Sequence, residues 1–304
     1  MAQLDYRRAG RRSRNDRVSE RRVGALIIGC GYLGGIVAAN AVGVGQRVTA
    51  TTRTGVRWPN LRKIGVQPIL FDIGAKGSDI DVPGSAGGGG HGIDVFFMLT
   101  PSAVAGALEP GGGYDRLLAA LSCSVVRRAV LVSSTGVYSG SDVVSAESAV
   151  TISDERQARL FNIEQRWRDC GDAFRVCRLA GIYGPGRVIG RRQVVAGDPI
   201  AGDPNAWLNL IYVNDAAALV MLCATAENAA PVELGCDGCP VTRREYYAHL
   251  ARMLEVPEPR FDTSAASRSA SKRCNPDSTM RRLKWKPQYP DFTAGLSAAL
   301  GIAS

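Results

Sequence analysis

Short apolar runs, separated by amphipathic segments, dominate the first 180 residues of this chain. The first is VGALIIG at 23–29, and similar runs follow at 47–51, 66–71, 93–99, 129–133 and 173–179. Short continuous apolar runs are typical of strands that are buried on both faces of a parallel sheet. Helical patterns separate most of them, at 32–44, 55–64, 112–125 and 153–169. The alternation predicts an α/β fold, a Rossmann-type doubly wound parallel sheet with helices on both faces.

The pattern changes after residue 180. Strands are predicted at 208–213 and 232–234, and helices at 215–226, 242–254, 276–283 and 291–300. Residues 257–275 are polar and irregular, so this part holds too little continuous structure for an independent second domain. We therefore expect a Rossmann domain at 23–180 and a small substrate-binding lobe at 181–304, with segment 207–235 returning to the Rossmann domain.

The charge of the chain is concentrated at its start. Residues 1–22 hold eight arginines and three acidic residues, so they carry +5 of the net +9. A charged segment with so few apolar residues cannot bury enough surface to fold, which predicts a disordered basic extension. The alternative is a nucleic-acid arm. We consider nucleic acid an unlikely partner, because the rest of the chain shows no basic stripe.

Composition also limits the location and the metal content of the protein. With 45% hydrophobic residues, the chain can bury a sizeable core, but no apolar run reaches about 18 residues, so no membrane span is expected. No secretory signal pattern follows the arginines, and the expected location is cytoplasmic. The eight cysteines are scattered, which favours reduced thiols. Cys236 and Cys239 lack a second pair of ligands, so we expect no metal site.

Three glycines, Gly29, Gly31 and Gly34, end the first strand pattern and open the first helix pattern. In this spacing the first glycine permits a tight turn, the second lets the backbone approach a pyrophosphate, and the third lets the helix pack on the strand. The helix N-terminus, with Tyr32 and Leu33, adds unpaired N–H groups and a partial positive charge. Because strand, loop, helix and next strand occur together, the sequence predicts a dinucleotide site.

The residues after the second strand indicate whether NAD or NADP binds. An acidic side chain there, about 20 residues past the loop, would bond the ribose 2′-hydroxyl of NAD. The sequence has TATTR at 49–53, without a carboxylate, and the guanidinium of Arg53 can pair with a 2′-phosphate. We therefore expect NADP; NAD stays open, since Arg53 could equally be a solvated surface residue. Asp72, after the third strand, is placed to bond the adenine amine.

Several further stretches, in order along the chain, resemble the short-chain dehydrogenase/reductase superfamily, in its extended NAD-dependent epimerase/dehydratase branch and closest to atypical members. They are GCGYLG (29–34), TATTR (49–53), LVSSTGVY (131–138), RLAGIYGPGR (178–187), NLIYVNDAAALV (209–220), PVTRREYY (240–247) and RRLKWKPQYPDFTAGL (281–296). The resemblance covers about residues 23 to 300. It implies that Leu99, Thr100 and Ser133 line the dinucleotide and that Ser134 orients a substrate hydroxyl or carbonyl.

The resemblance also implies a Tyr-x-x-x-Lys pair on the helix at 153–169, and this pair is absent. Aligned on Glu164, the tyrosine position holds Arg156 and the lysine position holds Leu160. In the family the lysine lowers the pKa of the tyrosine, which then transfers a proton. Tyr138, Tyr183 and Tyr212 are the candidate substitutes for the missing tyrosine. The predicted catalytic residues are Ser134, Tyr138 and Tyr183. Each tyrosine could equally be a packing residue.

Two functions follow from these expectations. The first is an NADP-dependent oxidoreductase with a non-standard active site that acts on a small, polar substrate. An anionic substrate could be bound by the four arginines Arg178, Arg187, Arg191 and Arg192. The second is a catalytically inactive dinucleotide-binding sensor or regulatory protein. The resemblance also suggests a homodimer, paired through the helices at 112–125 and 153–169.

Overall fold

The structure is a computed structural model of the chain, and it describes residues 24–82, 92–140, 143–264 and 271–302. The basic extension predicted at 1–22 lies outside the described residues.

A central sheet of seven parallel strands organises the molecule. In chain order they are β1 (Gly24–Ile28), β2 (Arg47–Thr52), β3 (Val66–Leu70), β4 (Ile93–Phe97), β5 (Val126–Ser134), β6 (Phe174–Leu179) and β7 (Val232–Gly235). Their spatial order is β7-β6-β5-β4-β1-β2-β3, and every neighbouring pair is parallel. The order reverses between β1 and β4, as in doubly wound folds.

The described residues also form ten α-helices. They are α1 (Tyr32–Gly43), α2 (Trp58–Lys63), α3 (Pro101–Val104), α4 (Gly113–Ser122), α5 (Glu155–Arg168), α6 (Arg191–Ala196), α7 (Val213–Thr225), α8 (Arg243–Met253), α9 (Asp277–Leu283) and α10 (Phe292–Leu300). The short helices α3 and α6 lack a clear amphipathic period and were not predicted from the sequence. The other eight helices lie within a few residues of their predicted bounds. The helix predicted at 55–64 begins as a 3-10 turn, at Gly55–Arg57, and continues as α2.

The core lies on both faces of the sheet. Ala25 and Ile27 of β1 belong to one hydrophobic cluster, while Leu26 and Ile28 belong to the other. This alternation with a period of two places successive side chains on opposite faces. Helices α1 and α7 cover the first face, and α4 covers the second. The predicted fold class, a doubly wound parallel sheet with helices on both faces, is confirmed.

The chain after residue 180 contributes to the main sheet and also to small two-stranded pairs. The segment at 232–235 pairs with β6 as the seventh strand, and α7 packs against α1. Short pairs join 181–183 to 210–212, 207–208 to 241–242, 200–201 to 261–262, and 143–144 to 273–274. Residues 181–183 therefore form a strand that was not predicted from the sequence. The division into two domains near residue 180 stays a prediction.

The described residues include neither a membrane-spanning helix nor a cluster of metal ligands. No helix among them is both long enough and apolar enough to cross a membrane. No group of three or more His, Cys, Asp or Glu side chains in the same residues could hold a metal ion.

Candidate functional site

The candidate residues gather at one edge of the sheet, because each follows the carboxyl end of a parallel strand. Gly29 follows β1, Arg53 follows β2, Leu99 comes two residues after β4, and Ser134 ends β5. In open α/β sheets, ligands bind outside the carboxyl ends of the strands where the strand order reverses, here between β1 and β4. The N–H of Met98 donates to the carbonyl of Ile28, 2.8 Å away, so the two strand ends stay paired up to that point.

The glycine loop has the geometry that its spacing predicts. Gly29 has φ +92°, a backbone conformation that side chains disfavour, and its N–H donates to Thr51 Oγ1 at 2.8 Å. A Cβ added to Gly34 would lie 2.6 Å from the carbonyl oxygen of Gly29, so helix and loop approach closely. A Cβ added to Gly31 would meet nothing within 4 Å, and this residue is exposed. The backbone at Gly31 is therefore open to a ligand beside the N-terminus of α1.

The two residues between the last two glycines have different surroundings. Leu33 is buried in the core beneath the loop. Tyr32 instead extends to the turn after β6, where its hydroxyl donates to the carbonyl of Pro185 at 3.1 Å, and the guanidinium of Arg187 lies 5.6 Å from its ring. Burial raises the pKa of Tyr32, and Arg187 opposes that rise. Tyr32 thus links the loop to the 184–187 turn, a contact that sequence spacing does not reveal.

Two arginines lie beyond the end of β2. Arg53 is exposed, while Arg57 donates to the carbonyl of Cys30 in the glycine loop. Trp58 donates to Thr52 Oγ1 at 2.9 Å, which holds this segment against the strand end. Arg53 was predicted from the sequence, whereas Arg57, in the 3-10 turn that follows, was not.

The remaining predicted dinucleotide residues line the same edge. Asp72 is exposed, and its Oδ1 accepts the N–H of Gly74 at 3.0 Å, forming a local turn. Leu99 covers the glycine loop from the β4 side, since its Cδ2 would lie 2.7 Å from a Cβ on Gly29. Thr100 is exposed, and its hydroxyl is 3.0 Å from that of Ser102. These positions are compatible with the predicted roles, which stay predictions.

A buried ion pair occupies the region between β5, α5 and β6. Arg178 donates to both oxygens of Glu164: Nε lies 3.2 Å from Oε1 and 3.1 Å from Oε2, and Nη2 lies 2.5 Å from Oε2. The two side chains are 4% and 1% exposed. Ser133 Oγ also donates to this carboxylate, at 2.5 Å. The polar groups of Arg178 and Ser133 are therefore hydrogen-bonded to Glu164 inside the protein. The idea that Arg178 binds an anionic substrate is wrong, because its charge is already paired and buried.

Tyr138 belongs to the same network. Its hydroxyl accepts from Arg178 Nη1 at 2.7 Å and donates to the carbonyl of Ser145 at 2.7 Å, and the residue is 1% exposed. Burial raises the pKa of Tyr138 despite the neighbouring Arg178. A hydroxyl that is already paired and has a raised pKa is a poor proton donor and acceptor near neutral pH. The expectation that Tyr138 faces the site as a substitute acid is corrected for this reason.

Tyr183 is also buried. It is fully shielded from solvent, its hydroxyl lies 3.4 Å from the carbonyl of Asp291, and a Cβ on Gly295 would lie 1.8 Å from that hydroxyl. Burial raises its pKa. Tyr212 packs edge-on against Tyr183 and tilts over Tyr289 with a centroid distance of 3.9 Å. The expectation that Tyr183 faces the site is corrected: both tyrosines pack the C-terminal segment against the strand pair 181–183 and 210–212.

Ser134 is the catalytic candidate that remains accessible. It is partly exposed, and its Oγ accepts the N–H of Gly136 at 3.0 Å. The guanidinium of Arg156 lies over Gly136, since a Cβ there would be 3.2 Å from Arg156 Nη2 and 3.2 Å from Ser134 Oγ. Leu160, at the family's lysine position, is buried in the core. An exposed arginine therefore stands beside Ser134 where a tyrosine is expected.

A buried carboxyl group that was not predicted from the sequence lies two residues after β7. Asp237 is 5% exposed; its Oδ1 accepts the N–H of Cys239 at 3.0 Å, and its Oδ2 has no hydrogen-bond partner in the described structure. Burial raises its pKa to about 7, with smaller contributions from Asp291 and Asp215. No local pattern signals this, because the carboxylates meet only in the folded chain.

Known proteins resemble this chain over nearly its whole length. The sequence matches no profile of a known protein family. Protein YeeZ of Escherichia coli K12 is 25% identical over 283 residues, covering 87% of this chain and 96% of YeeZ.

Solved structures match more closely in shape than in sequence. MoeE5 in complex with UDP-glucuronic acid and NAD has a TM-score of 0.75 and 17% identity, covering 92% of this chain and 98% of MoeE5. UDP-glucose 4-epimerase of Thermotoga maritima, with UDP-glucose, has a TM-score of 0.71 and 16% identity, with the same coverage. The chain therefore has the fold of these epimerase-like structures, which confirms the fold that the sequence resemblance predicts.

Proposed function

We propose that this chain is an NADP(H)-dependent oxidoreductase whose active site does not use the family's tyrosine and lysine. The observation that carries the proposal is the open backbone at Gly31 beside a helix N-terminus, with the exposed Arg53 in place of a carboxylate after β2. A guanidinium can pair with the 2′-phosphate that distinguishes NADP from NAD. The NAD bound by MoeE5 supports the coarser claim of a nicotinamide dinucleotide.

The residues of this chain fit such a cofactor. The N–H groups at the start of α1 would bind the pyrophosphate, Arg53 the 2′-phosphate, and Asp72 the adenine amine. When bound, the dinucleotide supplies or accepts a hydride. Ser134 Oγ, which already accepts from Gly136, would orient a substrate hydroxyl or carbonyl at the end of β5. The UDP-sugars bound by two of the similar structures support a small, polar, anionic substrate.

Arg53 and Arg47 provide a matched pair of variants for testing the cofactor. Both are exposed arginines, but Arg47 begins β2 and Arg53 follows its end. Arg53→Asp should weaken NADPH binding about 10- to 100-fold, the value of a charge-assisted hydrogen bond, and change NADH binding far less. Arg47→Asp should change neither. Titration followed by nicotinamide fluorescence measures both, and equal losses for the two cofactors would contradict the choice of NADP.

The second candidate, a dinucleotide-binding sensor without turnover, is favoured by a different observation. Tyr138 and Tyr183 are buried, and Arg156 and Leu160 stand at the positions of the tyrosine and the lysine. A screen of carbonyl and alcohol substrates, followed by the change in nicotinamide absorbance, separates the two functions. Turnover that depends on Ser134 supports the oxidoreductase, and tight NADPH binding without any turnover supports the sensor.

A further inference from the structure

An arginine from the turn after β6 lies against the glycine loop. The guanidinium of Arg187 is 5.6 Å from the centre of the ring of Tyr32, and Tyr32 is the first residue of α1. An aromatic ring attracts a cation at this distance. Arg187 therefore stands beside the N-terminus of α1, where the backbone at Gly31 is open.

The turn that carries Arg187 is fixed by contacts of its backbone. Gly184 and Arg187 exchange two backbone hydrogen bonds, at 3.0 and 2.9 Å, and the Tyr32 hydroxyl donates to the carbonyl of Pro185 at 3.1 Å. A Cβ on Gly184 would lie 2.7 Å from the Tyr32 hydroxyl and 2.8 Å from Val213 Cγ1, so the turn packs directly between the glycine loop and the start of α7. The backbone of Arg187 is thus held next to the loop, while its side chain is exposed.

The charge of Arg187 has no anionic partner in the part of the chain that the structure describes. None of the ion pairs there involves Arg187, and the hydrogen bonds that it makes there are those of its backbone. Two neighbouring arginines differ from it. Arg57 donates to the carbonyl of Cys30, and Arg178 is paired with Glu164. Arg187 therefore keeps its guanidinium N–H groups for a ligand.

We propose that Arg187 binds the pyrophosphate of the dinucleotide, opposite the N-terminus of α1. The proposal rests on the proposed function, because it assigns a further residue to the same cofactor. The pyrophosphate is a dianion, whereas a helix N-terminus supplies about half of one positive charge. A guanidinium supplies a full charge and can donate two parallel hydrogen bonds to phosphate oxygens. Tyr32 is a positioning residue in this arrangement, since its ring lies against the guanidinium and its hydroxyl holds the turn.

Isothermal titration with ADP-ribose tests the assignment, because this ligand contains the pyrophosphate and lacks both the nicotinamide and the 2′-phosphate. The wild-type chain should bind one ADP-ribose per chain. Arg187→Gln should weaken that binding at least about tenfold, since it removes a charge-assisted contact, and Arg187→Lys, which keeps the charge, should weaken it less.

Arg281→Gln is the matched control. Arg281 is an exposed arginine on α9, which packs against β7 at the edge of the sheet, and three strands separate β7 from β1. This variant should bind ADP-ribose as the wild type does. Arg187 is also exposed, so thermal unfolding of its two variants should match that of the wild type.

The outcomes separate this inference from the proposed function. In Arg187→Gln, NADPH and NADH should lose affinity by the same factor, because both contain the pyrophosphate. A loss confined to NADPH would assign Arg187 to the 2′-phosphate, and unchanged ADP-ribose binding would leave it to another anion, such as a substrate. Either result overturns the inference, as does an equal loss in Arg281→Gln or no ADP-ribose binding by the wild type. A wild-type preference for NADH, with ADP-ribose binding that depends on Arg187, would contradict the proposed function and support this inference.

Discussion

Two regions at the same edge of the sheet differ in how their polar groups are used. In the first, formed by β1, α1 and β2, the backbone at Gly31 is open and Arg53 is exposed. In the second, formed by β5, α5 and β6, Glu164 and Arg178 pair in the interior and hold Ser133 and Tyr138. In the first region a charged group and backbone N–H groups are exposed and could bind a ligand. In the second region most polar groups are hydrogen-bonded to one another.

The residues that would bind a dinucleotide are therefore distinct from those that would transfer a proton. The fold needs the glycine loop and the strand order to hold a dinucleotide, and both are kept. It does not need a tyrosine on α5, so that position can change to arginine without disturbing the sheet. An internal ion pair beside Ser134 fixes the geometry of the second region, although it removes Tyr138 from the groups that could exchange protons.

The largest expected effect comes from breaking the ion pair of the second region. Glu164→Gln leaves the guanidinium of Arg178 buried without a counter-charge, which costs about 3–5 kcal/mol of the free energy of unfolding. Urea unfolding, followed by tryptophan fluorescence, measures the change. NADPH affinity per folded molecule should stay the same, because the first region does not depend on this pair.

Glu155→Gln is the control for that experiment. Glu155 is exposed in the first turn of α5, so removing its charge should cost at most about 1 kcal/mol. If Glu164→Gln were no less stable than Glu155→Gln, the ion pair would not hold the second region together. If it lost NADPH binding as well, the two regions would not be separable.

The glycines of the first region should separate folding from binding. Gly34→Ala places a Cβ 2.6 Å from the carbonyl oxygen of Gly29 and should cost about 1–3 kcal/mol of stability. Gly31→Ala meets no protein atom within 4 Å, so stability should hardly change, while NADPH should bind at least about tenfold more weakly because the Cβ enters the pyrophosphate position.

Gly43→Ala, at the last residue of α1, is the control for both glycine variants. A Cβ there also meets nothing within 4 Å, and the residue is far from the loop, so stability and NADPH affinity should both be kept. Thermal unfolding and fluorescence titration measure the two quantities. Unchanged NADPH affinity in Gly31→Ala would mean that no pyrophosphate lies on this loop.

A pH-dependent effect is expected at Asp237, which extends the second region to the end of β7. Its pKa is about 7 in the folded chain against an ordinary 3.8, so the folded state holds the proton over that interval and stability falls as pH rises from about 4 to 7. Asp237→Asn removes the fall. At pH 8 the variant should be more stable than the wild type by up to about 4 kcal/mol, because each unit of pKa difference corresponds to about 1.4 kcal/mol.

At pH 4 that stability difference should vanish, because the carboxyl group is then protonated in the folded wild type. Urea unfolding at both pH values measures it. An equal difference at pH 4 and pH 8 would show that Asp237 does not titrate in this interval.

The sequence predicted the fold well because the signals for it are local. The apolar runs of β1 and β4 and the glycine spacing at 29–34 depend on neighbouring residues, and the structure has these elements where they were expected. The absence of the tyrosine and lysine was also visible, because it rests on residue identity alone.

The environment of side chains could not be predicted in the same way. Tyr183 is buried because α10 brings Gly295 against it from more than 100 residues away, and the carboxyl group of Asp237 becomes buried only when the chain has folded. Burial and pairing of this kind are tertiary properties, and no local pattern reports them. The homodimer predicted from the family resemblance stays a prediction.

The preference for NADPH is tested most directly by titrating the wild-type chain with NADPH and with NADH under the same conditions. The account predicts one NADPH per chain, bound at least about tenfold more tightly than NADH through the 2′-phosphate and Arg53. Tighter binding of NADH, or no binding of either dinucleotide, would contradict it.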